Sequence, residues 1–390
     1  MKRHRYQWFI GGLILLVAFS LGALVYVTQR PQASLKVSQS TIKHNYQSWK
    51  KQYLIGDGAL RFVQTNTGER TQTLSEAQGY GMLIAVLAAK QGIGKRQTFD
   101  QLTRYYLAHR VSTTNPLMAW RQQDYNGKMA SMTAEKTSAT DGDLDIAYAL
   151  VLADEYWGTK GGINYGVLAR RLIKAIMDLE INPQTKLPRV GNWATDNKSA
   201  QLLRTSDLMT AHFRKFARYT HDGTWTQVAQ NSQAVLKRLS AQHSSGLIAD
   251  FVTVSGGELT LGTVRPKQVD SKYDNQYGFN ACRIPWRVAY DYQLNHSQVS
   301  HDVVTKMLRF FKHQRDTGTV YNLAGHPTEK FDNTAFSTPI AYAAHAVADQ
   351  QLSRRYGSRN DHQLIKQGYY PATIQMVTLL TGGSIGGTTK

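Results

Sequence analysis

The sequence predicts an all-α domain in which inner and outer helices alternate in two concentric rings, an α/α barrel. Apolar residues recur at helical spacing through most of the chain. Some segments, such as GYGMLIAVLAAKQG, are apolar on nearly every side, whereas VLARRLIKAIMDLE has a single apolar face. A helix that is apolar all round is buried all round, so the first kind belongs inside and the second outside. A bundle or a solenoid would show similar amphipathicity throughout.

Eleven segments show the three- and four-residue spacing of apolar residues that predicts a helix. They are 41–53, 75–91, 98–109, 141–157, 164–179, 206–218, 225–240, 281–293, 299–313, 335–350 and 362–380. Alternating stretches in the connections, ALRFVQ and LIADFVTV, predict small β-strands. The connections at 54–73 and 245–277 are longer than most loops of compact domains, and such loops tend to be functional.

The N-terminal segment predicts one transmembrane helix. Residues 8–27 contain no charged side chain and are long enough to cross the hydrocarbon layer of about 30 Å. Lys2, Arg3 and Arg5 precede them, so the positive-inside rule predicts a cytoplasmic start and a domain that faces the exterior. This is a single-pass signal anchor in the cell membrane. The alternative is secretion after signal cleavage, although a cleaved signal usually has a shorter apolar core.

The chain otherwise predicts one domain, because it shows no internal repeat and no second composition regime. Residues 1–7 are a basic cytoplasmic segment, 8–27 the anchor and 28–40 a polar linker. Residues 41–382 form the folded domain, and 383–390 a flexible tail. We expect a monomer.

The net charge and the counts of cysteine and histidine limit the binding partners and cofactors that the protein can have. The formal net charge of +19 favours an anionic partner, such as membrane headgroups or acidic cell-wall polymers. Without a long basic run or a recognition motif, it argues against nucleic acid. Cys282 is the one cysteine and cannot form an internal disulfide. The twelve histidines lack metal-ligand spacing, so we expect neither a metal ion nor another cofactor.

Three aspartates stand at alternate positions before an apolar run: Asp141, Asp143 and Asp145. Helix capping would explain them, because Asp is a favoured N-cap and negative charge is stabilised near a helix N-terminus. A carboxylate that acts on a substrate is the alternative. This stretch by itself leaves both open.

A second acid, Glu76, stands at the head of another apolar segment. Ser75 and Gln78 predict a capping box there, so Glu76 is not needed as a cap. Gly79 and Gly81 each cost about 1 kcal/mol inside a helix, which implies close packing or approach by a substrate. If the inner helices share a direction, both acids lie at one end of the barrel. Two carboxyl groups beside a cleft lined by Tyr and Trp are the groups that hydrolysis of a glycosidic bond requires.

Several motifs carry a family resemblance. ATDGDLDIAYALVLADEYW (139–157) resembles the signature of glycoside hydrolase family 8, and SEAQGYGM (75–82) resembles its acid motif, with Ala77 where Gly is usual. Further segments follow in the family's order: DGALRFVQ, LMAW, NACRIPWR, AFSTPIAYAA and YYPATIQMVTLLTG. The resemblance covers about residues 45–382. It implies an (α/α)6 barrel and an inverting endo-hydrolase of β-linked polysaccharides, which include cellulose, lichenan, xylan and chitosan.

The resemblance also implies roles for single residues. Glu76 is the implied general acid, and Asp141 would hold the distorted sugar at the cleavage site. Asp143 and Asp145 would then cap the helix or bond to neighbours. The candidate substrate-binding residues are Tyr80, Trp120, Tyr277, Asn280 and Arg283, the last of which would orient the carboxylates.

The chain departs from the family pattern at Asn280, where many members carry the Asp that activates water. An amide cannot take up a proton at neutral pH. One subgroup, which includes chitosanases and lichenases, resembles this chain in having Asn there and uses an acid from the preceding loop. In this chain that loop is VRPKQVDSKYDNQYGFN. The resemblance maps the base best to Asp270, with Asp274 as the alternative.

The expected substrate is a neutral β-glucan, either β-1,4-linked or mixed β-1,3-1,4-linked. Chitosan is a polycation at mildly acidic pH, and the positive protein should repel it. An anchored enzyme facing the wall would trim a wall polysaccharide or one being exported. Two alternatives are a chitosanase-like hydrolase and, because of Asn280, a catalytically silent protein that binds or assembles polysaccharide.

Overall fold

A computed structural model describes residues 37–385, except 57, 67–69, 160, 315–318 and 358–367. The chain divides into two compact units, Met1–Ala33 and Ser34–Lys390. The first unit, with the predicted transmembrane span at 8–27, lies outside the described residues. Among the helices that are described, none has the length and apolarity needed to cross a membrane.

The described part of the chain contains twelve α-helices. They are α1 (Gln39–Tyr53), α2 (Ser75–Lys90), α3 (Arg96–Ala108), α4 (Thr140–Trp157), α5 (Tyr165–Leu179), α6 (Thr210–Thr220), α7 (Thr224–Gln242), α8 (Ile284–Asn295), α9 (Gln298–His313), α10 (Thr334–Ala346), α11 (Gln350–Gly357) and α12 (Tyr369–Ile385). All eleven predicted segments correspond to helices, and residues 362–367 of the last segment lie outside the described residues. The predicted segment 335–350 was too long, because α10 ends at Ala346, and α11 was not predicted.

The even-numbered helices form a closed inner ring, in which each packs against the next and α12 packs against α2. The odd-numbered helices lie outside this ring. Helix α1 packs against α12, and each later outer helix packs against the inner helix that precedes it in the chain. The described helices therefore confirm the predicted barrel of six inner and six outer helices. The helices extend slightly beyond the predicted domain bounds of 41–382, because α1 begins at Gln39 and α12 continues to Ile385.

The contrast between helices that predicted the two rings is confirmed. Helices α2 and α4 are buried on nearly every side, whereas α5 buries one face. Glycines let α2 and α4 approach closely. A Cβ atom on Gly142 would lie 2.5 Å from the Ser75 Oγ atom, and one on Gly79 would lie 2.8 Å from the Asp145 Cβ atom. Close helix packing is therefore what Gly79 provides.

Ten short strands lie in the described connections. They are β1 (Leu54–Ile55), β2 (Phe62–Val63), β3 (Gln72–Leu74), β4 (Arg121–Tyr125), β5 (Lys128–Ala130), β6 (Leu202–Arg204), β7 (Phe251–Ser255), β8 (Thr260–Thr263), β9 (Val320–Tyr321) and β10 (Pro327–Glu329). Strands β2 and β7 confirm the two predicted strand segments. Two antiparallel sheets, β3–β4–β5 and β6–β7–β8, lie in the connections to inner helices. Strand β3 leads directly into α2 and β6 precedes α6, whereas β4–β5 precede α4 and β7–β8 precede α8.

The predicted capping box at the start of α2 is wrong. The N-cap is Leu74, which makes no side-chain cap, and Ser75 is already the first helical residue. The Ser75 N–H donates to the Trp120 carbonyl (2.9 Å), and the Gln78 side chain donates to the Leu102 carbonyl (2.8 Å). Pairing of β3 with β4 brings Trp120 to this point. A neighbouring strand therefore satisfies a helix-start donor that a local side chain was expected to satisfy.

Candidate active site

The N-terminal ends of three inner helices meet at one point. Glu76 is the second residue of α2, Asp141 is the second residue of α4, and Arg283 immediately precedes α8. Tyr369, the first residue of α12, also reaches Glu76. These contacts show that four inner helices, α2, α4, α8 and α12, share a direction, and α2 and α4 are the two for which the argument for a common acidic end required it.

Arg283 joins the two acids. Its Nη1 atom lies 2.9 Å from the Glu76 Oε2 atom and 3.0 Å from the Asp141 Oδ2 atom. The same nitrogen donates to the Tyr80 hydroxyl (3.0 Å), and Nη2 donates to the Asn280 Oδ1 atom (2.8 Å). The Arg283 side chain is fully buried. A buried guanidinium stays charged, so it compensates negative charge on both acids at a fixed distance.

The environment of Glu76 favours its protonated form near neutral pH. Burial raises the pKa of Glu76 to about 7, and the negative charge of Asp141 adds to this rise while Arg283 opposes it. The side chain remains 18% exposed, so a substrate oxygen can reach it. The Tyr369 hydroxyl donates to the Oε1 atom (3.2 Å). A carboxyl group that is still partly protonated at pH 7 is suited to general acid catalysis.

Asp141 has the opposite preference. Burial by itself would raise its pKa, but Arg204 and Arg283 outweigh burial and lower the pKa of Asp141 below its usual value. The Arg204 Nη1 atom lies 2.9 Å from the Oδ1 atom, and the Gly142 N–H donates to the same oxygen (3.0 Å). Neighbouring carboxyl groups with separated proton affinities are typical of acid–base sites.

Asp143 and Asp145 bond to neighbouring segments and do not cap α4. The N-cap of α4 is Ala139, without a side-chain cap. Asp143 accepts from the Met118 N–H (2.8 Å). Burial, and then the adjacent Glu180, raise the pKa of Asp143 well above its usual value. Asp145 accepts from the Arg287 Nη1 atom (2.8 Å). Of the two structural roles expected for this pair, the structure shows bonding to neighbours.

The two candidate bases occupy different environments. The Asp274 side chain is buried, and its carboxylate accepts backbone N–H groups from Val269 (2.6 Å) and Ser271 (2.7 Å), which shapes the loop. Asp270 is exposed, and its Oδ2 atom lies 3.4 Å from the Asn280 Nδ2 atom. Asp270 is thus linked through Asn280 to Arg283 and is open to water, whereas the oxygens of Asp274 are occupied.

Tyr80 and Tyr277, predicted as sugar contacts, are completely buried, and this placement corrects that prediction. Tyr80 packs near Trp286, with the ring centroids 6.4 Å apart. Tyr277 packs near Phe311 at 5.7 Å. Tyr80 lies one turn into α2, so its ring points between the inner helices beneath the acids. Its hydroxyl still acts on the site by accepting from Arg283.

Trp120 is partly exposed, and its ring lies 4.7 Å from the Arg121 guanidinium carbon. Its backbone is fixed on both sides, because its carbonyl accepts from Ser75 and its N–H donates to the Thr137 carbonyl (2.8 Å). The strand that follows therefore holds Trp120 next to the helix start that carries Glu76.

Sequence reasoning missed Trp193, whose indole is 48% exposed. The neighbouring Asn192 accepts from the Ser138 N–H (2.9 Å), and its own N–H donates to the Ser138 Oγ atom (3.1 Å). These bonds attach the Trp193 loop to the segment that leads into α4 and Asp141. An aromatic residue within the polar stretch GNWATDN was the available signal.

Sequence reasoning also missed Arg204 and Asp250. Pairing of β6 with β7 sets Arg204 opposite Phe251, next to Asp250 in the chain. The Asp250 Oδ1 atom accepts the N–H groups of Gly278 (3.0 Å), Asn280 (3.1 Å) and Ala281 (2.6 Å), so it fixes the turn that leads to Arg283. A lone acid within the apolar segment LIADFVTV could have indicated Asp250. Arg204 had no local signal.

A metal centre is not apparent at this site. Within the ranges that the structure describes, no three His, Cys, Asp or Glu side chains form a group that could hold an ion. Cys282 is buried and makes no disulfide.

Comparison with known proteins agrees with this geometry. A model of the family described as "Glycosyl hydrolases family 8" matches residues 24–384. A β-glucanase from Niallia circulans is 33% identical over 359 residues, which cover 87% of this chain and 83% of that protein. Endoglucanase A from Acetivibrio thermocellus is 29% identical over 349 residues, 87% of this chain and 68% of that protein.

A solved structure is similar as well. The apo structure of a β-1,3-1,4-glucanase from Paenibacillus sp. X4 superposes with a TM-score of 0.78 and 31% sequence identity. The match covers 89% of this chain and 93% of that one.

Proposed function

Since the chain belongs to glycosyl hydrolase family 8 and is a glycoside hydrolase, we propose that it cleaves β-linked glucan within the polymer and with inversion. The names of the relatives, a β-glucanase and an endoglucanase, support the substrate class. The β-1,3-1,4-glucanase structure supports a neutral glucan in particular. The observation that carries the proposal is the pair of acids that Arg283 holds together.

Glu76 is the proposed general acid. With a pKa of about 7, it is largely protonated at mildly acidic pH and can donate to the leaving glycosidic oxygen. Asp141 stays ionised beside it. A fixed negative charge stabilises the positive charge that develops on the sugar ring in the transition state. Asp141 also accepts hydrogen bonds, so it can hold the ring in a distorted shape.

Asp270 is the proposed base, and Asn280 orients it. Inverting enzymes place a water between the sugar and the base, which separates acid and base by about 6.5–9.5 Å. Asp270 is exposed to water, and the path from it to Glu76 runs through Asn280 and Arg283. In this proposal the sugar and the water lie between Asp270 and Glu76. Trp120 and Trp193 would stack on sugar rings along the same face.

We also propose that the enzyme acts outside the cell, anchored through residues 8–27, on a wall polysaccharide or one being exported. The uncharged segment and the basic residues before it support this. Protease treatment of intact cells tests it: the folded domain should be cleaved from the surface and leave a short membrane-bound stub. Protection of the domain until the cells are lysed would contradict an external location.

Reducing-end release by the purified full-length protein tests the activity. We expect release from mixed-linkage β-glucan and carboxymethylcellulose and little from chitosan. Proton NMR of the first product should show the α-anomer, as inversion of a β-linkage requires. Greater release from chitosan would favour the chitosanase-like alternative. Binding without release would favour a silent polysaccharide-binding protein.

Substitution of the loop acids tests the base. Asp270→Asn should lower kcat by about 100-fold or more, because a general base contributes about 10²–10⁴-fold. Asp302→Asn is the matched control, since Asp302 is an exposed acid on outer helix α9, and it should leave kcat unchanged. Full activity of Asp270→Asn would exclude Asp270 as the base.

A further inference from the structure

Charge is sorted between the two rings of helices. The six outer helices carry fifteen Lys or Arg residues and only three acids, Asp100, Asp178 and Asp302. The six inner helices carry five Lys or Arg residues and seven acids. Every outer helix has a positive net charge. The outer helices therefore have a net charge of +12 (fifteen cations and three acids), whereas the inner helices have a net charge of −2 (five cations and seven acids).

Four outer cations illustrate how little of this charge is paired at short range. Arg104, Arg171, Lys237 and Arg309 are exposed, stand on four different outer helices and form no ion pair within the described ranges. Like charges spread over one surface repel one another and cost folding free energy. An anionic partner would relieve that repulsion without any rearrangement of the barrel.

Two clefts on this surface combine cations with hydroxyl groups. One, of about 440 Å³, is lined by Arg110, Arg171, Thr113 and Thr114, and by Lys174, which is paired with Asp178 in the same cleft (2.7 Å). Arginine and lysine beside hydroxyl donors are suited to phosphate or carboxylate oxygens.

The second cleft is of the same kind. It measures about 550 Å³ and is lined by Lys306, Arg309 and His313 with Ser244 and Ser245. It involves α9, whereas the first cleft involves α5, so the two lie at different places on the outer ring.

We propose that the outer ring binds a flexible polyanion, a chain polymer with repeating phosphate or carboxylate groups. A flat membrane can touch only one side of a barrel whose cations lie on all six outer helices. A flexible chain can follow the surface and contact several helices. The exposed cations lie on the outer helices, whereas the candidate active site lies at the ends of the inner helices, so the polyanion and a neutral glucan would occupy different places.

Fluorescence anisotropy with labelled inorganic polyphosphate, and in parallel with labelled poly-L-glutamate, measures the binding on the full-length protein. For about five anionic contacts, affinity should fall by about 100-fold between 50 and 200 mM salt, because each contact releases counterions. The tighter of the two probes identifies the anionic group. Absence of salt-dependent binding of both probes at 50 mM salt would overturn the proposal.

A charge variant tests the location. Neutralising Arg104, Arg171, Lys237 and Arg309 together to Gln should weaken binding by at least tenfold at 50 mM salt and reduce the salt dependence. The matched control exchanges the three arginines for Lys and Lys237 for Arg, which keeps the charge, and should bind like the unmodified protein. Equal binding by the neutralised variant would overturn the outer ring as the site.

Two further measurements separate this surface from other sites. Saturating polyphosphate should leave hydrolysis of a short cello-oligosaccharide unchanged, and competitive inhibition would place the polyanion in the catalytic cleft and overturn the proposal. Binding to phosphatidylglycerol vesicles without binding to either polymer would also overturn it, in favour of a lipid surface. The anisotropy measurement needs no substrate, so it remains valid even if the proposed hydrolysis fails.

Discussion

The starts of α2 and α4 look alike in the sequence, yet their acids differ in proton affinity. Glu76 and Asp141 are each the second residue of a buried inner helix. Glu76 has one arginine in contact, whereas Asp141 has two, Arg283 and Arg204. Burial therefore dominates at Glu76 and raises its pKa, and the guanidinium groups dominate at Asp141 and lower its pKa. The number of arginines in contact, more than the position in the helix, therefore decides which of the two carboxyl groups is protonated and can act as the general acid.

Of the substitutions considered, removal of the proton donor Glu76 should lower kcat the most. Glu76→Gln keeps the shape of the side chain but carries no transferable proton, so kcat should fall by about 10²–10⁴-fold. Glu155→Gln is the matched control, because Glu155 lies on α4 and pairs with Lys215 at the surface. Steady-state kinetics on soluble β-glucan measure both variants. A Glu76→Gln enzyme with normal kcat would show that the comparison names the wrong acid.

The pH dependence of the rate tests the same assignment. Glu76 is active when protonated, so kcat/KM should fall about tenfold for each pH unit above its pKa of about 7. Asp141 is active when ionised and its pKa is lowered, so it should not limit the rate at mildly acidic pH. A pH series in buffers of constant ionic strength measures this. A rate that stayed constant up to pH 9 would contradict a proton donor with this pKa.

Arg204→Gln should bring the pKa of Asp141 closer to that of Glu76. Arg283 and the Gly142 N–H would then be left to oppose burial at Asp141, so the pKa of Asp141 should rise and the acidic limb of kcat/KM should move to higher pH. We expect a loss of about tenfold at pH 5, which corresponds to about 1.4 kcal/mol. Arg238→Gln, an outer-helix arginine that bonds to the Leu259 carbonyl, should leave the limb in place. An unmoved limb in Arg204→Gln would refute this role.

Asp250→Asn should have the smallest effect. The amide keeps an oxygen for the three backbone donors but loses the charge, so the turn that carries Arg283 should loosen and kcat should fall by about threefold to tenfold. Asp291→Asn is the matched control, because Asp291 is also fully buried and hydrogen-bonded, on the later turns of α8.

Comparison of kcat with Tm for these two variants separates positioning from stability. Both should lower Tm, since each weakens a buried hydrogen-bond network. Only Asp250→Asn should also lower kcat. An equal loss of kcat in both variants would reduce Asp250 to a structural residue.

Most helices could be predicted from the sequence because a helix depends on the spacing of residues a few positions apart. Two features were not predicted correctly: helix α11 and the cap at the start of α2. The sequence QQLSRRYG of α11 is short, and its apolar face consists of just Leu352 and Tyr356, which is too short a pattern to predict a helix. Both side chains are buried in the fold, and this packing stabilises the helix. The capping box at Ser75 failed because a strand 45 residues away in the chain supplied the acceptor. In both places a distant contact outweighed a local preference.

The sequence by itself determined the alternation of buried and amphipathic helices and the presence of acids at the heads of α2 and α4. Those features follow from the spacing of residues a few positions apart. Only the tertiary structure decided which acid holds its proton, which of the loop aspartates is open to water, and that Tyr80 is buried. Each of these depends on burial and on charges that other helices supply, as Arg204 and Arg283 do, and no local pattern encodes those distances.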